Sequence, residues 1–272
     1  MAVVLIRVGH SADPDDAFML WALEAGKVDT RGLDLQPIAS DIQTLNEWAL
    51  EGRLEVTALS AGAYPHVADR YAVLPHGASF GDGYGPIVVA RRPLSLDELA
   101  RAAIAIPGRL TTAYLVLRLV LGDDVPVAAD LPFDEIGAAV ASGRCEAGLL
   151  IHEAQLTYAA CGLVKVLDLG EWWQRETSLP LPLGLVAARR DLERPGDVSK
   201  VLGEAIEAGL AHRDEAIAYA LRFGRGIDPS TADRFVELYV NDLTCDMGER
   251  GRAAVEELLR RSGAAAALEL VS

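Results

Sequence analysis

The stretch SLPLPLGLVAARRD, residues 178–191, decides the fold. Prolines at 180 and 182 forbid helix and keep the chain extended. A second extended run, VVARRPLS at residues 88–95, is ended by Pro93. Two such runs predict two crossings between lobes, one outward near residue 91 and one returning near residue 181. The expected organisation is a discontinuous first lobe, residues 1–90 with 181–272, and an inserted second lobe, residues 91–180. Ligands of such proteins bind in a cleft between lobes, where strand C-termini meet helix N-termini.

Outward from these crossings, strand-like runs alternate with helical patterns. VVLIRV leads into DDAFMLWALEAG, LDLQPIA into DIQTLNEWALEG, and LEVTALS into AYPHVADRY. AAIAIPG leads into TTAYLVLRLVLG, and EAGLLI into HEAQLTYAACG. Such alternation predicts an α/β protein with mainly parallel sheets flanked by helices. The C-terminal part reads as mostly helical, with the alanines after Gly263 a helix end or a frayed tail.

Composition narrows the classes. Hydrophobic residues are 51% of the 272 and charged residues 24%, as in ordinary globular proteins. MAVVLIRVGH has no basic lead-in and no small-residue cleavage site, so it reads as a buried strand and not as a signal peptide. No apolar run reaches the ~18 residues of a membrane span, and no membrane partner is expected. The three cysteines, Cys145, Cys161 and Cys245, form no CxxC pair, which fits a reduced cytoplasmic chain. A formal net charge of −15 argues against nucleic acid, whose binding rests on Lys and Arg. It leaves open a small anionic ligand, which feels only its own pocket.

The motifs sit at strand ends. In HSADPDDAF, Asp13 fits an N-cap, Pro14 the first helical position and Asp16 the reciprocal capping-box acid. These acids match no EF-hand spacing. His10 and Ser11 stand at the strand tip, either as ligand contacts or as plain strand residues. Thr57, Ala58, Leu59 and Ser60 end another strand. Thr111 and Thr112 open a helix, where hydroxyls and free N–H groups suit a carboxylate; capping is the other reading, and one threonine would satisfy it. SFGDGYGP lacks both P-loop and dinucleotide fingerprints and reads as a tight loop before a strand. Trp172 and Trp173 either stack on an aromatic ligand or pack a helix. Ser60, His66 and Asp69 lack a nucleophile elbow, and the five histidines show no metal spacing, so no metal is expected. His152 follows the strand GLLI and precedes a helical pattern. It is either a satisfied structural histidine or a base kept neutral by a helix N-terminal dipole.

GLLIHEAQLTYAACGLVKVLDLGEWWQRETSLPLPLGLVAARRDL resembles the central signature of the 1,4-dihydroxy-6-naphthoate synthases of the futalosine route to menaquinone. DIQTLNEWALEGRLEVTALS, YGPIVVARRPL, IPGRLTTAY and LYVNDLTCDMGERGRAAVEELL extend the resemblance nearly end to end. The resemblance implies a two-lobed fold like type II periplasmic binding proteins. It implies a small-molecule carboxylate substrate, cyclic dehypoxanthine futalosine, cleaved at a carbon–carbon bond to release its sugar-derived part. The family's base then falls on His152, and its substrate contacts on Thr57-Ala58-Leu59 and Thr111-Thr112. No cofactor is expected, since a base and aromatisation suffice. The alternatives are chorismate dehydratase, of the same fold and pathway, and a non-catalytic small-anion binding protein.

Two positions depart from the family pattern. HSADPDD stands where many members read FSPCPND, and Ala58 stands where many carry lysine. Neighbouring strand tips would place His10 beside Ala58. Either His10 takes over part of the lysine's role, by a hydrogen bond or a positive charge, or both changes are lineage drift around a water-filled corner.

Overall fold

The computed structural model describes residues 5–271. Val3 and Val4, expected to open the first strand, lie outside the described residues. The chain divides into two compact units, one running to Phe80 and resuming at Pro182, the other spanning Gly81–Leu181.

The first unit begins with strand β1 (Leu5–Ser11), helix α1 (Pro14–Glu24), β2 (Asp34–Ser40), α2 (Ile42–Glu51), β3 (Val56–Ser60), β4 (Tyr71–Val73) and β5 (Ser79–Gly81). The second holds β6 (Ile87–Ala90), α3 (Leu96–Leu99), β7 (Ile104–Ile106), α4 (Thr112–Leu121) and β8 (Val127–Asp130). It continues through α5 (Phe133–Ala141), β9 (Ala147–Leu150), α6 (Ala154–Thr157), β10 (Val164–Asp168) and α7 (Leu169–Thr177). The chain returns to the first unit through β11 (Leu181–Arg189). It ends with α8 (Pro195–Ala211), α9 (Arg213–Ala220), α10 (Pro229–Tyr239), α11 (Asp242–Cys245) and α12 (Gly248–Ser262).

Two expectations need correction. The outward crossing lies near residue 81, not 91, because Ile87–Ala90 pair with β9 and β10 and so belong to the second sheet. The sheets are also mixed, not mainly parallel. In the order β2-β1-β3-β11-β4, β1 runs parallel to β2 and β3, while β11 is antiparallel to β3 and β4. In β10-β6-β9-β7-β8, β7 runs parallel to β8 and β9, while β6 is antiparallel to β9 and β10. Strands joined through α1, α2, α4 and α5 come out parallel, as crossover helices require. β6 and β11 are reached without a crossover helix on their own sheet, and they run the other way.

Core packing explains α1. Phe18, Ala22, Ile206, Ala216 and Val236 form one cluster, and Leu20 joins Ile6, Val8, Val56 and Leu202 in another. A helix buried on both sides must be apolar nearly all round, as FMLWAL is. AYPHVADRY gives only a 3₁₀ turn, Tyr64–His66, because the chain is soon drawn into β4 against β11. The C-terminal tail is not frayed: Val73 N donates to Glu269 O at 2.9 Å and Val271 N to Val73 O at 2.8 Å. Among the described residues no helix is long and apolar enough to cross a membrane.

One ion pair fastens the first sheet. Glu55 accepts from Arg7 N at 3.0 Å, Arg7 Nε at 2.9 Å and Arg7 Nη2 at 2.7 Å. The Arg7 guanidinium lowers the Glu55 carboxyl from 4.5 to about 2. A depressed carboxylate stabilises the fold above its unfolded value and loses that contribution as pH falls from 4.5 towards 2. Arg7 is partly exposed, so Glu55→Gln is expected to cost about 1–2 kcal/mol at pH 7. It should also flatten the acid limb of a denaturation curve measured across that window. An unchanged acid limb would contradict this.

Candidate functional site

In the second unit the site is built on close contact between β9 and α5. A Cβ at Gly148 would meet Ile136 Cγ2 at 2.5 Å and Val140 Cγ2 at 2.8 Å, so only glycine lets the strand lie this near the helix. Beyond β9 the backbone turns at His152, which has φ 55°, in the left-handed region. That conformation costs an L-residue about 1–2 kcal/mol, although histidine adopts it more readily than most. The half-buried ring lies 4.5 Å from that of Phe133, the first residue of α5, at 60°. A backbone outlier and a ring held by a neighbour are the marks of a positioned functional group. The dipole argument for this histidine does not survive. α6 is a single turn, Ala154–Thr157, followed by a 3₁₀ turn, and few aligned peptides give little dipole.

Thr111 is the N-cap of α4. Its Oγ1 accepts from Tyr114 N at 3.2 Å and donates to Gly108 O at 2.8 Å. Both roles of that hydroxyl are taken within the protein, so Thr111 is a cap, as the plainer reading held. Thr112 is buried at the first helical position of α4. No acidic side chain lies in that turn to oppose an anion. Trp173 is wholly buried with Nε1 donating to Pro180 O at 3.1 Å, which makes it a packing residue, while Trp172 is half-buried.

In the first unit, the pairs Val8–Val56 and Gly9–Thr57 set β1 beside β3. His10 and Ala58 then line one cavity of about 20 Å³ together with Met19, Leu202 and Ile206. That lining is mostly apolar and includes the carboxylate residue Asp16, so it offers an anion little. His10 Nδ1 lies 2.9 Å from Ser11 O, so in the neutral ring this nitrogen carries the proton. The ring stands edge-on to Phe223 at 5.6 Å. Burial lowers the His10 pKa despite the Ser11 carbonyl and the Asp13 charge, which works against a positive charge in place of the missing lysine.

The segment after the β3 midpoint is tightly held. Thr57 Oγ1 donates to Ala58 O at 2.8 Å, and Leu59 is wholly buried in the core. Ser60 is clamped by Asn46, whose Nδ2 donates to Ser60 Oγ at 3.0 Å and whose Oδ1 accepts from Ser60 N at 2.8 Å. Asn46 escaped the sequence reading. Its one signal is a polar side chain on the buried face of α2, beside Leu45 and Ala49.

The turn from β1 to α1 holds a second surprise. Asp13 caps α1, accepting from Asp16 N at 3.2 Å. Asp16 Oδ2 accepts from Ser11 N at 2.6 Å, closing the turn two residues ahead of the cap. Asp15, given no role by the sequence, is buried between these two acids. Burial, then the Asp13 charge, raise its carboxyl well above the ordinary range.

Residues 6–264 match the family described as menaquinone biosynthesis. A Thermus thermophilus protein named 1,4-dihydroxy-6-naphthoate synthase is 44% identical over 263 residues, 95% of this chain and 94% of that one. A crystal structure of an Archaeoglobus fulgidus protein is 48% identical with TM-score 0.89, over 95% of this chain and 97% of that one. The periplasmic aliphatic sulphonate binding protein of Escherichia coli aligns at TM-score 0.65 and 11% identity, over 95% of this chain and 86% of that one. At that identity the likeness concerns the fold alone, which is that of the periplasmic binding proteins.

Proposed function

The chain belongs to the menaquinone-biosynthesis family as a 1,4-dihydroxy-6-naphthoate synthase, and on that premise we propose that His152 is the general base with which it cleaves cyclic dehypoxanthine futalosine. The observation that carries this reading is the His152 backbone, held at φ 55° just past the end of β9 with its ring against Phe133. A base so placed takes the proton of a substrate hydroxyl. The electrons of that O–H bond form a carbonyl on the departing sugar-derived part as the carbon–carbon bond breaks, and the pair of the broken bond passes into the remaining ring system, which takes up a proton as it aromatises. Aromatisation of the remaining ring draws the cleavage forward, and no further group is needed to accept electrons.

Thr112 and the first N–H groups of α4 hold the substrate carboxylate in this reading, and Thr57, Ala58 and Leu59 line the substrate through the backbone of β3. The two threonines then separate in experiment. Thr112→Val should raise KM several-fold, the worth of one hydroxyl donor to a charged acceptor. Thr111→Val should instead lower thermal stability by about 1 kcal/mol, the worth of an N-cap. A Thr112→Val protein with unchanged KM would remove the carboxylate assignment.

The three cysteines are free thiols, which supports placing the enzyme in the cytoplasm. Incubation of the purified protein with cyclic dehypoxanthine futalosine and, separately, with chorismate tests the reaction itself. Naphthoate from the first and no change in the second is the expected outcome. Dehydration of chorismate would replace the reading with that of the sister enzyme.

A further inference from the structure

Two buried polar atoms in the β1–α1 turn have no hydrogen-bond partner among the described residues: Ser11 Oγ and Asp15 Oδ1. Ser11 is 3% exposed and Asp15 5%. An unmet buried polar atom is costly, and native proteins keep few of them. The rest of the turn is well bonded: Ser11 N to Asp16, Asp16 N to Asp13, and Arg225 Nη1 to Ala12 O at 2.7 Å. Ser79 Oγ approaches only the other oxygen of Asp15, at 3.4 Å. Neither orphan is needed to build the turn.

The chemistry of the pair selects a ligand group. Three aspartates, at 13, 15 and 16, stand in this turn, so an incoming carboxylate is repelled. Serine offers one donor and two acceptor positions, and a carboxyl group offers an acceptor. The matching partner is a neutral hydroxyl, which both donates and accepts. We propose that Ser11 and Asp15 bind a hydroxyl of the substrate's sugar-derived part. Burial, then the Asp13 charge, raise the Asp15 carboxyl, which favours its neutral form and eases the entry of a hydroxyl between the acids.

This assignment rests on the substrate reading above, and substrate and product together test it. The naphthoate product keeps the carboxylate and the rings but has lost the sugar-derived part. Ser11→Ala and Asp15→Ala should each raise KM for cyclic dehypoxanthine futalosine about tenfold while leaving the Kd for naphthoate within about twofold. Asp15→Asn should recover most of the loss, since its amide oxygen still accepts and its amide nitrogen can donate to Asp13. Equal loss toward substrate and product would overturn the proposal, because the turn would then hold a group common to both. Unchanged KM in all three variants, with melting temperature shifted, would also overturn it and leave the turn a packing feature. Naphthoate formation by the unaltered protein, measured alongside, keeps the two readings apart. If it is absent the substrate assignment falls and takes this one with it; if it is present and the variants are silent, only this one falls.

Discussion

A His152→Asn protein is expected to fold like the unaltered one and to turn over its substrate about 10²–10⁴ times more slowly, the usual worth of a positioned base. Asparagine is the informative replacement because it accepts the left-handed backbone that His152 adopts. Little core volume is lost, since the ring is only half-buried, beside that of Phe133. The loss should therefore appear in kcat, with the melting temperature within a few degrees of the original. A near-normal kcat would leave His152 a structural residue and the base unassigned.

Gly148→Val is expected to cost about 1–3 kcal/mol of stability, the range for overpacking a filled core. The new side chain would drive into Ile136 and Val140, and neither can leave without displacing α5. Because α5 begins at Phe133, its displacement should also loosen the His152 ring and lower kcat, so stability and activity fall together. Gly137 on the same helix is the control, since a Cβ there meets nothing within 4 Å. Gly137→Ala should stabilise by about 0.4–1 kcal/mol and leave kcat alone. A Gly148→Val protein as stable as the original would mean that β9 and α5 are not in the contact described.

These two residues also show what a sequence discloses. The position of His152 just past the end of an apolar strand was legible, because LLI is a buried run and the residues after it are polar. Its backbone conformation and its contact with Phe133 were not, since they depend on how near α5 lies, which Gly148 permits but does not announce. Prolines 180 and 182 revealed an extended segment by their ring chemistry alone, while the direction of β11 in its sheet depended on which strands were already there. Thr111 shows a different limit. A cap and a ligand donor have the same local sequence, and only the bond to Gly108 O distinguishes them. Asp15 was hidden by its neighbours, whose capping pattern accounted for the acids of the turn and left none to explain. The exchange of lysine for Ala58 was visible as a departure, but the burial that lowers the His10 pKa was not.

The most direct test is a single-turnover experiment with the unaltered protein in excess over cyclic dehypoxanthine futalosine, quenched at intervals and read by mass spectrometry. The expected result is one 1,4-dihydroxy-6-naphthoate formed for each substrate consumed, with no added cofactor, and the same trace slowed at least about a hundredfold in His152→Asn. A saturable rise in melting temperature with substrate and no naphthoate would contradict it, making the chain a binding protein that only shares the enzyme's fold.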